Sequence, residues 1–76
     1  MTYDDVQQRF AQRIEAFREQ VGLTKRQFSR RIGVNINAYD YYINKGGMPT
    51  LYTAVMIAER LGITLDQLVG IRGGRR

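Results

Sequence analysis

Between Lys25 and Gly46 the chain reads KRQFSRRIGVNINAYDYYINKG, and the glycine in the middle of that stretch restricts the fold more than any other feature. Before it, Phe28 and Ile32 lie four residues apart and give one short helix its inward face. Thr24 starts that helix and Gln27, three residues on, completes a capping box. Gly33 stops it. Asn35 is a good N-cap and opens a second helical pattern over residues 36–44, with Ala38, Tyr39 and Tyr42 as its inward positions. Two short helices joined by a three- to four-residue turn containing glycine form a helix-turn-helix. The turn needs positive φ at Gly33, a conformation that glycine adopts without steric cost. Ser29 has to be small, because the two helices approach closely at its level.

The flanking segments carry helical patterns as well. Val6, Phe10, Ile14, Phe17 and Val21 recur at steps of four, four, three and four, one apolar stripe on a helix of roughly residues 4–21. Gly22 suits its C-cap. Thr50 caps a fourth helix whose expected inner stripe is Leu51, Ala54, Val55, Ala58 and Leu61, and Gly62 ends it. Thr64 and Gln67 repeat the capping-box spacing and start a last short helix. NKGGMP is a turn cluster, and no period-two strand pattern is present. The expectation is all-α, five short helices in one domain over residues 1–71, followed by a basic flexible tail, residues 72–76.

The composition excludes several kinds of chemistry. There is no cysteine and no histidine, hence no disulfide, no thiolate metal site and no catalytic imidazole. The sequence offers no glycine-rich phosphate loop and no pair of carboxylates at a useful spacing; Asp4 and Asp5 read as helix-start charge. No enzymatic activity, cofactor or small-molecule ligand is expected. No apolar run approaches the ~18 residues of a membrane span, and MTYDDVQQRF is too acidic and polar for a signal peptide, so a cytoplasmic protein is expected. Residues 25–45 hold Lys25, Arg26, Arg30, Arg31 and Lys45 against Asp40 alone, a net of +4, whereas residues 1–24 and 46–71 each carry −1. Arg72, Arg75 and Arg76 add +3 at the end. Such placement fits a polyanion-binding face and also a solvated surface with a basic tail.

From Phe17 to Val69 the chain resembles the Cro/repressor-type, lambda-repressor-like helix-turn-helix domains of bacteria and their phages. The resemblance rests on REQVGLTKRQFSRRIGV, then INKGGMPTLYTAVMIAERLGITLDQLV, with the Gly-Leu-Thr lead-in, the Gly33-Val34 turn, the Asn44 exit and the LGITLDQL ending. It implies a five-helix bundle that regulates transcription by laying the second motif helix, N-terminal end first, in the major groove of double-stranded DNA. The residues then facing base edges are Asn35, Ile36, Asn37 and Tyr41. An asparagine can pair bidentately with adenine, and Ile36 can meet a thymine methyl. For Asn35 a capping role competes with base readout. Phosphate contacts are implied for Thr24, Lys25, Arg30, Asn44 and Lys45; Lys25 stands where the family usually has glutamine. The family often pairs a first-helix arginine with a glutamate near the end of the third helix. Arg18 is present, but the matching position is Ile43, which leaves Asp40 as a candidate substitute. Tyr39 and Tyr42 replace the usual aliphatic core residues, and their hydroxyls need partners if buried.

Tyr52 and Met56, neighbours at i,i+4 on the fourth helix, are apolar where the family usually shows polar side chains. With Val69 and Ile71 they form a candidate homodimer interface, which would place two recognition helices about 34 Å apart on a near-palindromic operator. The alternative function is a protein-binding adaptor or antitoxin of the same fold. The tail suits a phosphate backbone or a minor groove, and equally a solubility tail.

Overall fold

The computed structural model describes residues 1–70, in five helices: α1 Tyr3–Val21, α2 Lys25–Ile32, α3 Ile36–Asn44, α4 Leu51–Leu61 and α5 Leu65–Val69. No strand occurs among the described residues, so the chain is all-α as expected. Each helix begins with a side chain that accepts a backbone N–H from the first turn: Thr2, Thr24, Asn35, Thr50 and Thr64. Thr2, Thr24 and Thr64 form full capping boxes with Asp5, Gln27 and Gln67. These bonds satisfy donors that a helix start otherwise leaves to water. None of the described helices is long and apolar enough to cross a membrane.

α1 packs against α3 and α5, α2 against α3 and α4, and α4 against α5. The core they enclose consists of Phe10, Ile14, Phe28, Ile32, Tyr39, Tyr42, Ile57, Ala58 and Leu68. Two edge-to-face aromatic pairs cross it, Phe10 with Tyr42 at 5.3 Å and Phe28 with Tyr39 at 5.9 Å between ring centroids; such pairs add about 0.5–1.5 kcal/mol beyond burial.

The inner face of α4 differs from the expected stripe. Leu51 is 73% exposed and Val55 is 41% exposed, whereas Ile57 is fully buried. Ala58 is buried, and Ala54, Met56 and Leu61 are half-buried against the core. The sequence LYTAVMIAERL is apolar on nearly every side, so periodicity alone cannot select its face. Ala38 is half-buried rather than buried, and Val21 is exposed at the end of α1.

Polar side chains complete the packing. Gln7 is buried, and its Nε2 donates to the carbonyls of Tyr42 at 2.6 Å and Gly47 at 3.1 Å. It thereby ties α1 to the end of α3 and to the following loop. Arg13 donates from Nε to the Gln67 carbonyl at 2.9 Å, and Arg9 from Nη1 to the Gly70 carbonyl at 3.3 Å. Both guanidinium groups thus serve the carbonyl end of α5, where cations are favoured. Arg13 also stacks on Phe17, 5.1 Å from its ring centroid. Ile71 and the basic tail lie outside the described residues.

Replacing Gln7 by Leu removes two hydrogen bonds and leaves two carbonyls unsatisfied. The expected loss is about 1–3 kcal/mol, read as a lower urea midpoint with an unchanged denaturant slope. A midpoint equal to that of the unmodified protein would show that water replaces the glutamine without loss.

Candidate nucleic-acid interface

The α2–α3 unit is held by its turn. Gly33 has φ 87° and ψ 23° and takes two hydrogen-bonded roles: its N–H donates to the Arg30 carbonyl, and the next N–H, from Val34, reaches back to Ser29 at 2.9 Å. A Cβ at Gly33 would meet Arg60 Nε at 3.0 Å and the Met56 terminal methyl at 3.2 Å. The turn therefore needs glycine for its backbone conformation and for the α4 side chains packed over it. Ser29 is buried, and its hydroxyl donates to the Arg26 carbonyl at 2.8 Å. A larger residue there would separate α2 from α3.

With the turn fixed, α3 buries Tyr39 and Tyr42 and presents Asn37, Tyr41 and Asn44 to solvent. Spacings of four and three place these exposed residues on one side of the helix. Asp40 shares that side. Asn37 is exposed and has no side-chain hydrogen bond among the described residues. Ile36 is half-buried. Asn35 is the N-cap: its Oδ1 accepts the Ala38 N–H at 2.7 Å, which leaves its amide nitrogen free to donate outward. Tyr41 is 51% exposed, and its ring lies close against Gly47. A Cβ on Gly47 would collide with the Tyr41 ring, and the Gly47 N–H donates to the Tyr41 carbonyl at 2.9 Å. The bare backbone of Gly47 thus makes the space that the Tyr41 ring occupies.

The basic residues divide into two groups. Lys25, Arg26, Arg30 and Arg31 are exposed on α2 and form no ion pair among the described residues. Thr24 stands beside Lys25 with its hydroxyl oxygen already accepting the Gln27 N–H at 3.1 Å. Asn44 and Lys45 instead turn to Asp40. Asn44 Nδ2 donates to Asp40 Oδ1 at 2.6 Å, and Lys45 Nζ is 3.6 Å from Oδ2. Asp40 therefore pairs with its own helix end and does not serve Arg18.

The partner of Arg18 is Glu15, one turn earlier on α1. Two guanidinium nitrogens donate to its two carboxylate oxygens at 3.1 Å each, and a third donates to the Leu23 carbonyl at 3.0 Å. The Tyr39 hydroxyl donates to Glu15 Oε2 at 2.5 Å. A buried tyrosine thus takes the place of the expected carboxylate on α3, and the link between α1 and α3 becomes a neutral donor on a paired charge. Burial alone would raise the Glu15 pKa, but the hydrogen bonds from Arg18 and Tyr39 outweigh it and hold the carboxyl below its ordinary 4.5. Burial, reinforced by the bond to Glu15, pushes the Tyr39 phenol far above its usual range.

Of the expected dimer residues, Tyr52 is 79% exposed, while Met56 and Val69 are half-buried against the core. Ile71 lies outside the described residues. The apolar surface of α4 is instead built from Leu51, Tyr52 and Val55. Beside it a groove of about 310 Å³ runs between Phe10, Met48, Pro49, Leu51, Leu65 and Val69. Among the described residues no group of side chains is arranged to hold a metal ion.

The family model described as helix-turn-helix matches residues 14–68, from the middle of α1 to α5. The chain belongs to the helix-turn-helix family. It is similar to the cryptic phage CTXphi transcriptional repressor RstR of Vibrio cholerae serotype O1 (strain ATCC 39315 / El Tor Inaba N16961), with 32% identity over 59 residues. The match takes in 78% of this chain and 53% of that repressor, so the chain spans about half the length of the curated relative it matches. No solved structure matches the chain.

Because Glu15 binds its proton less tightly folded than unfolded, its stabilising effect is complete above about pH 4.5 and is lost as pH falls through the depressed folded value. Tyr39 acts at the other end: stability holds up to about pH 10 and declines above it, where only the unfolded chain ionises readily. Glu15→Gln is expected to cost about 1.5–3 kcal/mol at pH 7 and to flatten the acid limb of a urea-midpoint profile. An acid limb of unchanged steepness would show that other carboxylates govern it.

Proposed function

We propose that this protein is a transcriptional regulator that binds double-stranded DNA through α3, with α2 on the phosphate backbone. The observation that carries this reading is the pairing of an exposed, hydrogen-bonding face on α3 with four unpaired bases on the adjacent α2. Asn37 is the principal base reader, since its amide has both donors and acceptors free for adenine. The Asn35 amide nitrogen, Ile36 and Tyr41 flank it, with the Tyr41 ring seated against Gly47. Lys25 and Arg30 hold phosphates, assisted by the N-terminus of α2 at Thr24, where N–H groups favour an anion. The similarity to a phage repressor supports repression as the mode of action, and on this proposal it acts on the nucleoid in the cytoplasm.

The exposed Leu51, Tyr52 and Val55 support a homodimer through α4 and α5, with Tyr52 at its centre and Met56 and Val69 backing it. An apolar cluster of this kind on a small monomer suits a partner surface, and a two-fold arrangement gives each recognition helix its own half-site.

Asn37→Ala is expected to weaken cognate DNA by roughly ten-fold or more with little effect on random duplex, as loss of one base contact worth about 1–3 kcal/mol requires. Lys25→Ala should weaken both alike and reduce the salt slope by about 0.9. A nearly salt-independent affinity would instead favour a protein partner for this fold. Sedimentation of the full chain with and without DNA should give a dimer on the operator, and Tyr52→Glu should return it to a monomer with an unaltered melting temperature. A single copy bound under all conditions excludes the two-fold arrangement.

A further inference from the structure

The exposed side of α3 contains one residue of the wrong sign for a polyanion. Asp40 follows Asn37 by three residues and precedes Asn44 by four, so it lies beside Tyr41 on the face that meets the groove. It has no role in the core: its side chain is 46% exposed. Two neighbours hold it in place. Asn44 Nδ2 donates to Oδ1 at 2.6 Å, and the Lys45 ammonium is 3.6 Å from Oδ2. The bond from Asn44, with Lys45 nearby, keeps the carboxyl below its ordinary range, so it is ionised at neutral pH.

A fixed negative charge on this face is repelled by every phosphate and weakens binding to all sequences alike. It becomes useful only where a base edge offers a donor. In the major groove the donors are exocyclic amino groups, cytosine N4 and adenine N6, and a carboxylate suits cytosine. Guanine O6 and N7 and thymine O4 are acceptors and would face the carboxylate with like partial charge. The same group therefore attracts an amino-bearing edge, cytosine best, and rejects guanine and thymine, the combination that gives discrimination rather than affinity. Asn44 has already restricted its rotamer, so little side-chain freedom is lost on contact.

We propose that Asp40 is a specificity-determining residue that accepts a hydrogen bond from a cytosine amino group in each half-site. Asn44 is its positioning residue, and Lys45 neutralises it locally, so neither serves chiefly as a phosphate contact. This inference rests on the DNA-binding function proposed above.

The test is selection of bound sequences from a random duplex pool by the full chain, followed by salt titrations, for the unmodified protein, Asp40→Ala and Asp40→Asn. The unmodified protein should require a C·G pair at one position per half-site. Asp40→Ala should lose about ten-fold discrimination at that position alone, bind random duplex more tightly, and show a salt slope steeper by about 0.9 as Lys45 is released to a phosphate. Asp40→Asn should move the preference at that position toward adenine, the usual partner of an amide side chain. Melting temperatures confirm that both variants fold, as an exposed position allows. If Asp40→Ala keeps the parental base profile at every position, the inference is overturned while DNA binding stands. If the unmodified chain selects no sequence at all, sequence-specific DNA binding itself fails and this inference with it.

Discussion

A phenol hydroxyl on a paired carboxylate holds the two halves of the molecule in register. Tyr39 comes from the middle of α3, and Glu15 from α1, already gripped by Arg18. The pair lies above Phe28, whose ring meets Tyr39 edge on. Together with the Gln7 bond to the Tyr42 carbonyl and the Phe10–Tyr42 ring pair, this contact lets α1, and not the turn alone, set the orientation of α3 about its own axis. If Tyr39 rotated away, the exposed side carrying Asn37 and Tyr41 would turn with it. The arrangement also suits a small core. Removing one partner strands a charge and a buried hydroxyl together, so the cost of misplacing α3 is high.

How far the sequence revealed this depends on whether a signal was local. Helix starts and stops were legible because Thr24, Asn35, Thr50 and Thr64, and Gly22, Gly33 and Gly62 at the ends of α1, α2 and α4, act on their immediate neighbours. The Gly33 turn was legible for the same reason. The face of α4 was not, since almost every position of LYTAVMIAERL is apolar and only the packing of α2 and α5 against it selects Ile57 over Val55. Gln7 was invisible to a hydrophobic pattern, because its duty is to two carbonyls 35 and 40 residues away. Tyr39 as the partner of Glu15 was not legible because charge pairing points Arg18 to a carboxylate on α3, whereas a neutral donor suffices once Arg18 has paired Glu15 on its own helix. The tie between Asp40 and Asn44 was within reach, being an i,i+4 pair on one helix, and it changes the expected roles of Asn44 and Lys45.

The candidate interface separates its duties by element. α2 supplies charge that forms no ion pair among the described residues, α3 supplies hydrogen-bonding groups, and the loop after α3 supplies the glycine backbone beside the Tyr41 ring. The α4 surface lies apart, with its exposed apolar residues beside a groove bounded by α1 and α5. The two surfaces meet only beneath the exposed layer, where Met56 and Arg60 of α4 pack over the Gly33 turn and the buried core is shared.

The side-chain caps have a consequence for kinetics. With every helix start written into residues no more than three apart, each segment can find its own ends before the bundle assembles. Although α1 packs against α5 at the far end of the sequence, most residue contacts in the bundle are local, and helical chains of that kind reach the native state in microseconds to milliseconds. A nascent copy would then be competent almost as soon as it leaves the ribosome, so the lag before this protein acts would be set by synthesis and encounter rather than by chain collapse.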